Sequence, residues 1–225
     1  VVVTTTGLVK SAQKISSSYG SLSVLYELED YDYLGRGLTW LRDVDMDGVM
    51  DLAVAAYGDD DGGSNCGAVY ILFLTTDGFV KLAQKISNSE GDFPYTLEAG
   101  DRLGGYGSSG SGDLDGDGVT DLVIGAGDRH SDAGAVFILF LATDGLVKSA
   151  QEISGSYGNL PLALGNNDRF GCSPTLADVD GDGMDELIVG ANLDDDEASG
   201  DDDDANAGAV YVLFLQHTNC RTSFP

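Results

Sequence analysis

Basic residues are scarce in this chain: 11 Lys and Arg stand against 38 Asp and Glu, for a formal net charge of -27. Nucleic acid binding requires clustered Lys and Arg against phosphate, so the composition argues against that class of partner, and against anionic membrane surfaces for the same reason. No apolar run approaches the length of a bilayer span and no stretch reads as a signal peptide, so membrane insertion is not expected. The chain begins at Val1 instead of Met, which predicts a processed protein or a portion of something longer. Histidine is limited to His130 and His217, and neither has neighbours that suggest a triad or a zinc site. The cysteines are Cys66, Cys172 and Cys220. Their odd number leaves at least one thiol free or paired between chains, and Cys172 with Cys220 is the first pair to test, since both belong to the last repeat. No Asn opens an N-x-S or N-x-T sequon, so N-linked glycans are not expected. Sustained helical periodicity is absent as well. Yet 42% of the residues are hydrophobic, which describes a foldable domain with an acidic surface and not a disordered acidic tail.

What the chain does have is one acidic pattern written three times, each followed at once by an apolar run: DVDMDGVMDLAVAA from Asp43, DLDGDGVTDLVIGA from Asp113 and DVDGDGMDELIVGA from Asp178. Side-chain oxygens fall at positions 1, 3, 5 and 9, with Gly at position 6. A hard divalent cation takes six to eight oxygens in a flexible cage, and alternate residues of a tight turn can supply them. The candidate ligands are Asp43, Asp45, Asp47 and Asp51 with the Val49 carbonyl; Asp113, Asp115, Asp117 and Asp121 with the Val119 carbonyl; and Asp178, Asp180, Asp182 and Glu186 with the Met184 carbonyl. An EF-hand does not fit. It needs a bidentate Glu at position 12 and flanking helices, whereas position 12 is Val54, Ile124 or Val189, inside short runs that read as buried strands. Calcium at three sites is therefore expected. Four carboxylates per loop would repel one another without metal, which should couple folding to binding.

Self-similarity extends beyond the loops. GAVYILFL at Gly67 returns as GAVFILFL at Gly134 and GAVYVLFL at Gly208; VKLAQKIS at Val80 returns as VKSAQEIS at Val147 and is already present as VKSAQKIS at Val9. The period, about 65 to 74 residues, suits one four-stranded blade with long loops. Each repeat reads as strand A after DYLG, DRLG or DRFG, then the acidic loop, strand B, an Asp/Gly-rich loop, strand C, a TDG turn and strand D. Strand C is apolar on both faces, as a strand sandwiched between neighbouring blades requires. The expected fold is all-β, with propeller-like blades of four antiparallel strands at 32–87, 101–154 and 168–215, an N-terminal strand in 1–16 that matches the end of a blade, and a C-terminal tail at 216–225.

With those residues in view, the chain resembles the FG-GAP repeats of integrin α-type propellers. FG is approximated by LG, LG and Phe170-Gly171, and GAP by AAY, GAG and GAN, so the motif's Pro is missing from every copy. The resemblance implies calcium-stabilised propeller blades; it brings no ligand-recognition residues with it.

The repeats do not come out even. Blade three ends at Leu215 with no VKSAQKIS of its own, while one such segment stands surplus at the N-terminus. Completion by another copy of the chain and a slice of a larger protein are the leading explanations; closure within one three-bladed chain ranks behind them. The expected function is a non-enzymatic, extracellular or cell-surface, calcium-binding structural or adhesion module that assembles with copies of itself into a fibre or ring. The alternative is a carbohydrate- or protein-binding propeller domain cut from a larger cell-surface protein. The acidic runs at Asp59–Asp61 and Asp194–Asp204 read as solvated loops. Trp40, Tyr31, Tyr33, Tyr57 and Tyr106 read as blade core or rim. Carboxylates abound, but the spacings that stand out are metal spacings, so an enzyme is not expected.

Overall fold

The structure, a computed structural model, describes residue 9 and residues 11–107, 110–195 and 207–216. Every described strand belongs to one of three antiparallel sheets. The first runs β1 (Leu34–Leu41), β2 (Asp51–Ala56), β3 (Ala68–Leu74), β4 (Val80–Ile86), in that spatial order. The second repeats it with β5 (Gly110–Gly112), β6 (Asp121–Ala126), β7 (Ala135–Leu141) and β8 (Val147–Ser154). The third has β9 (Phe170–Ala177), β10 (Glu186–Ala191) and β11 (Ala209–Leu213), with β10 in the middle. These are the expected blades, A to D, A to D and A to C. The helical content described is one 3-10 turn, Leu22–Val24.

Strands β3 and β7 lack the polar alternation of a half-exposed sheet because both of their faces are covered. All seven residues of β3 are buried. One face of blade 1, with Ile71 and Phe73, packs against Leu122, Ile124 and Phe137 of blade 2. Blade 2 in turn places Val136 and Ile138 against Leu187 and Val189 of blade 3. Each such apolar side chain removed from water contributes about 1.5–3 kcal/mol, so face-to-face stacking of blades is the main cohesive force.

The Gly of the second and third of these pairs, Gly104 and Gly171, is explained by how close neighbouring blades come, whereas Gly35 of the first faces nothing within 4 Å. A Cβ on Gly104 would lie 2.3 Å from the Ala55 Cβ of blade 1, and one on Gly125 of blade 2 would lie 1.8 Å from the Gly171 oxygen of blade 3. No side chain fits there. Gly125→Ala should therefore destabilise the chain by about 3 kcal/mol or more through forced separation of blades 2 and 3. Gly155→Ala, whose added carbon would meet nothing closer than 3.7 Å, is the control. Urea midpoints measure both, and equal midpoints for the two variants would contradict this account. The Asp preceding each pair closes a local turn. The carboxylates of Asp32, Asp101 and Asp168 accept hydrogen bonds from the amides of Glu29, Glu98 and Gly165, three residues back.

The linkers between blades also repeat. Ser16, Ser87 and Ser154 donate backbone hydrogen bonds to Tyr19, Glu90 and Tyr157, closing the same turn at the end of each D segment. Gly20, Gly91 and Gly158 then fold back onto Ile15, Ile86 and Ile153. The N-terminal segment thus lies against blade 1 as β4 lies against blade 2. Val9 and residues 11–15 are in no strand; residues 1–8, to which the sequence assigns the end of a strand C and its turn, lie outside the described part.

Candidate metal loops

Each acidic loop is wound around its own first residue. The Asp43 carboxylate accepts from the amides of Asp47 and Gly48 at 2.9 and 2.7 Å, Asp113 from Gly116 and Gly118 at 2.8 and 3.0 Å, and Asp178 from Gly181 and Gly183 at 2.7 and 3.1 Å. Position 6 must be Gly because its backbone is left-handed, with φ of 90°, 89° and 89° at Gly48, Gly118 and Gly183.

The ninth residue connects loop to sheet. Asp51, fully buried, accepts from Val44 N at 2.9 Å and from Leu74 N, at the far end of β3, at 3.2 Å. Asp121 does the same with Leu114 N at 2.8 Å and Leu141 N at 3.1 Å. Glu186 accepts from Val179 N at 2.8 Å. One carboxylate therefore fixes the A-to-B loop and, in blades 1 and 2, the end of strand C.

Positions 1, 3 and 9 converge. Asp43, Asp45 and Asp51 each offer an oxygen within 4.8 Å of the others, as do Asp113, Asp115 and Asp121, and Asp178, Asp180 and Glu186. Position 5 is arranged differently. One oxygen of Asp47, Asp117 and Asp182 takes the amide of Val49, Val119 and Met184, each at 2.8 Å. The other oxygen of Asp47 meets Lys81 of β4, and that of Asp117 meets Lys148 of β8. These lysines hold both position-5 carboxyls below their ordinary range. They also approach position 3: Lys81 lies 2.7 Å from Asp45 and Lys148 3.2 Å from Asp115.

Electrostatics make the fit to a cation testable within the site. Burial pushes Asp121 up to about 6, against the hydrogen bonds that its amide donors give, and burial raises Asp51 in the same direction. The Asp45 Oδ1 is buried and takes no hydrogen bond among the described residues. An oxygen in that condition costs on the order of 1–3 kcal/mol unless something pairs with it. Oxygen-only donors, converging negative charge and an unsatisfied buried oxygen fit a hard divalent cation.

Two sequence expectations are corrected away from these loops. Asp59 is not a solvated loop residue. It is 1% exposed, lies 2.8 Å from Lys85 Nζ, and accepts from the Tyr70 hydroxyl at 3.1 Å; Asp61 shares the same lysine. Asp194 is likewise buried and accepts from Tyr211, while residues 196–204 of that run lie outside the described part. His130 is not incidental either, since it contacts Glu152. Beside it Arg129 makes a two-pronged contact with Glu152 at 3.2 and 3.3 Å, reaches Asp101, and donates to the Thr96 carbonyl at 3.0 Å. The signal was present in the aligned repeats: where blade 1 has Asp59 and Lys85, blade 2 has Arg129 and Glu152, a pair with its charges reversed. Cys66 and Cys172 carry free thiols; the pairing of Cys172 with Cys220 falls outside the described residues, which do not include Cys220. Trp40, Tyr31 and Tyr33 are exposed and belong to the rim. Tyr33 stacks on Tyr57 at 5.0 Å between ring centres.

Comparison with known proteins gives a consistent picture. The family model described as FG-GAP repeat matches residues 105–139 and 170–213, which carry the second and third acidic loops. Integrin alpha-2 of Mus musculus is 32% identical over 133 residues, a match that takes in 56% of this chain and 10% of that protein. The chain thus corresponds to about a tenth of that relative's length. Among the described residues no helix is long and apolar enough to cross a membrane.

Proposed function

Because the chain belongs to the FG-GAP repeat family, we propose that it is a non-enzymatic, calcium-binding module of the extracellular or cell-surface type, structural or adhesive in role, which joins copies of itself. The carrying observation is the convergence of the acids at positions 1, 3 and 9 in every repeat. Those residues would hold one calcium ion per loop, with Asp47, Asp117 and Asp182 and the carbonyls of Val49, Val119 and Met184 completing the oxygen set as the lysines withdraw. A bound divalent ion supplies charge neutralisation: it lets four carboxylates share one turn and so stiffens the A-to-B connection.

Self-assembly is the reading of the uneven repeats, since a blade with an open edge and a spare strand of the right sequence are complementary halves of one contact. Calcium titration by calorimetry together with light scattering tests both parts. About three ions per chain and a mass above that of one chain are expected; a compact monomer that takes up no calcium would sink the proposal. The stack of the exposed Tyr33 on the half-buried Tyr57, with Tyr31 at 6.2 Å from Tyr33, favours the second reading, a glycan- or protein-binding rim, and glycan binding lost on Tyr33→Ala would move the balance to it.

A further inference from the structure

Strand D carries the same irregularity in blades 1 and 2. In blade 1 Leu74 pairs with Val80 and Phe73 with Leu82, so Lys81 is an extra residue that opposes nothing on β3; in blade 2 Leu141 pairs with Val147 and Phe140 with Ser149, which leaves Lys148 in the same position. A residue bulged out of a ladder has its side chain re-aimed. Both of these point past the end of strand C at the acidic loop of their own blade. Lys81 Nζ contacts Asp47 and lies 2.7 Å from Asp45; Lys148 Nζ contacts Asp117 and lies 3.2 Å from Asp115.

The oxygens that these lysines meet are the ones a cation needs. At position 5, Oδ1 of Asp47 takes the amide of Val49 and Oδ1 of Asp117 that of Val119. That leaves Oδ2, and Oδ2 is the atom each ammonium holds. At position 3 the same ammonium faces Oδ2 of Asp45 or of Asp115. The lysine does not satisfy its loop fully, because the buried Asp45 Oδ1 takes no hydrogen bond among the described residues. The frame around the exchange is fixed by the ninth residue. Asp51 and Asp121 hold the amides of Leu74 and Leu141, which stand beside the two bulges. The lysine side chains are 27% and 33% exposed, so an ammonium that leaves its acids reaches water while strand D stays paired.

We propose that Lys81 and Lys148 are exchangeable counter-ions of the first and second loops: each holds its loop together in the absence of metal and gives up the carboxylates of positions 3 and 5 when calcium enters. This rests on the calcium reading above and adds the residues that set affinity at two of the sites. A divalent charge enters as a single charge is released to solvent. The two effects of the lysine therefore have opposite sign. It stabilises the metal-free loop, because the ammonium offsets repulsion among the carboxylates, and it weakens binding, because the ion must first displace it. A lysine that only packed the strand would change stability and leave affinity alone. The effect is also local, since exposed charges more than about 10 Å apart are largely screened in ordinary salt.

The test uses the whole chain. Its single Trp, Trp40, lies in β1 three residues before Asp43, so terbium luminescence excited through Trp40 reports the first loop. Lys81→Met should tighten that loop about three- to tenfold for terbium, and for calcium measured by displacement of terbium. The same change should lower the urea midpoint in chelator. Lys148→Met should leave the Trp40-excited titration unchanged while tightening one calcium site in calorimetry by a similar factor. Lys81→Gln keeps a donor at the carboxylates without the charge, and it should move affinity the same way even if the Met variant unfolds in chelator. Affinity unchanged or weakened in both Lys81 variants overturns the exchange while calcium binding by the native chain stands. Equal tightening of the first loop by Lys148→Met overturns it too, in favour of a general effect of net charge. A native chain that binds neither ion removes both this proposal and the calcium reading.

Discussion

Chelation is expected to lower the unfolding midpoint of the chain steeply, and added calcium to restore it. In each loop three acidic oxygens lie within 4.8 Å of one another, and like charges about 4 Å apart repel by about 1 kcal/mol in water and about 4 kcal/mol near a protein surface. An ion that binds the native chain alone, at a hundred times its dissociation constant, contributes about 2.7 kcal/mol per site. Three sites would then contribute about 8 kcal/mol, a large share of the roughly 5–15 kcal/mol typical of a whole domain. The sign with pH follows from Asp121, raised to about 6 in the metal-free fold. Between its unfolded value near 4 and 6, the metal-free native state holds a proton that the unfolded state has released. Through this group the metal-free chain is therefore more stable at pH 5 than at pH 7, and the gap that calcium makes narrows as pH falls through 6. Thermal unfolding in calcium and in chelator at both pH values reads this directly; midpoints indifferent to chelator would refute it.

Replacing Arg129 should be the most damaging single change to a charged side chain outside the loops. Its guanidinium serves Glu152 and Asp101, which are 1% and 4% exposed. Removing one partner of a buried ionic group costs about 3–5 kcal/mol, because the remaining charge stays buried without compensation. Arg129→Ala should lose that much. Arg129→Asp with Glu152→Lys, which gives blade 2 the Asp59–Lys85 polarity of blade 1 with Asp101 standing where Asp32 does, should recover most of it. Urea unfolding of the single and double variants measures the coupling, and additive losses would show that the two positions do not act as a pair.

Most of the strand plan was legible because the duplicated runs constrain one another. DLVIGA and GAVFILFL could be helix or strand taken singly, but the Asp-Gly turns and the β-branched content decide it, and the structure places β6 and β7 there. The convergence of positions 1, 3 and 9 follows from loop spacing. The lysines at position 5 did not follow, since Lys81 and Lys148 arrive from strand D, more than 30 residues along the chain. Asp59 departs from its sequence pattern for a different reason. A run of acids signals solvent by composition, yet one member of the run was claimed by a lysine across the blade, and only the charge reversal at Arg129 and Glu152 exposes that pairing in sequence.

The reversal of sign between the first two blades has a consequence for how near-identical repeats keep their order. Repeats this alike can exchange strands during folding. With Asp59 answering Lys85 in blade 1 and Arg129 answering Glu152 in blade 2, a strand D that settled on the wrong strand C would bury two like charges together, and the exchange would be costly.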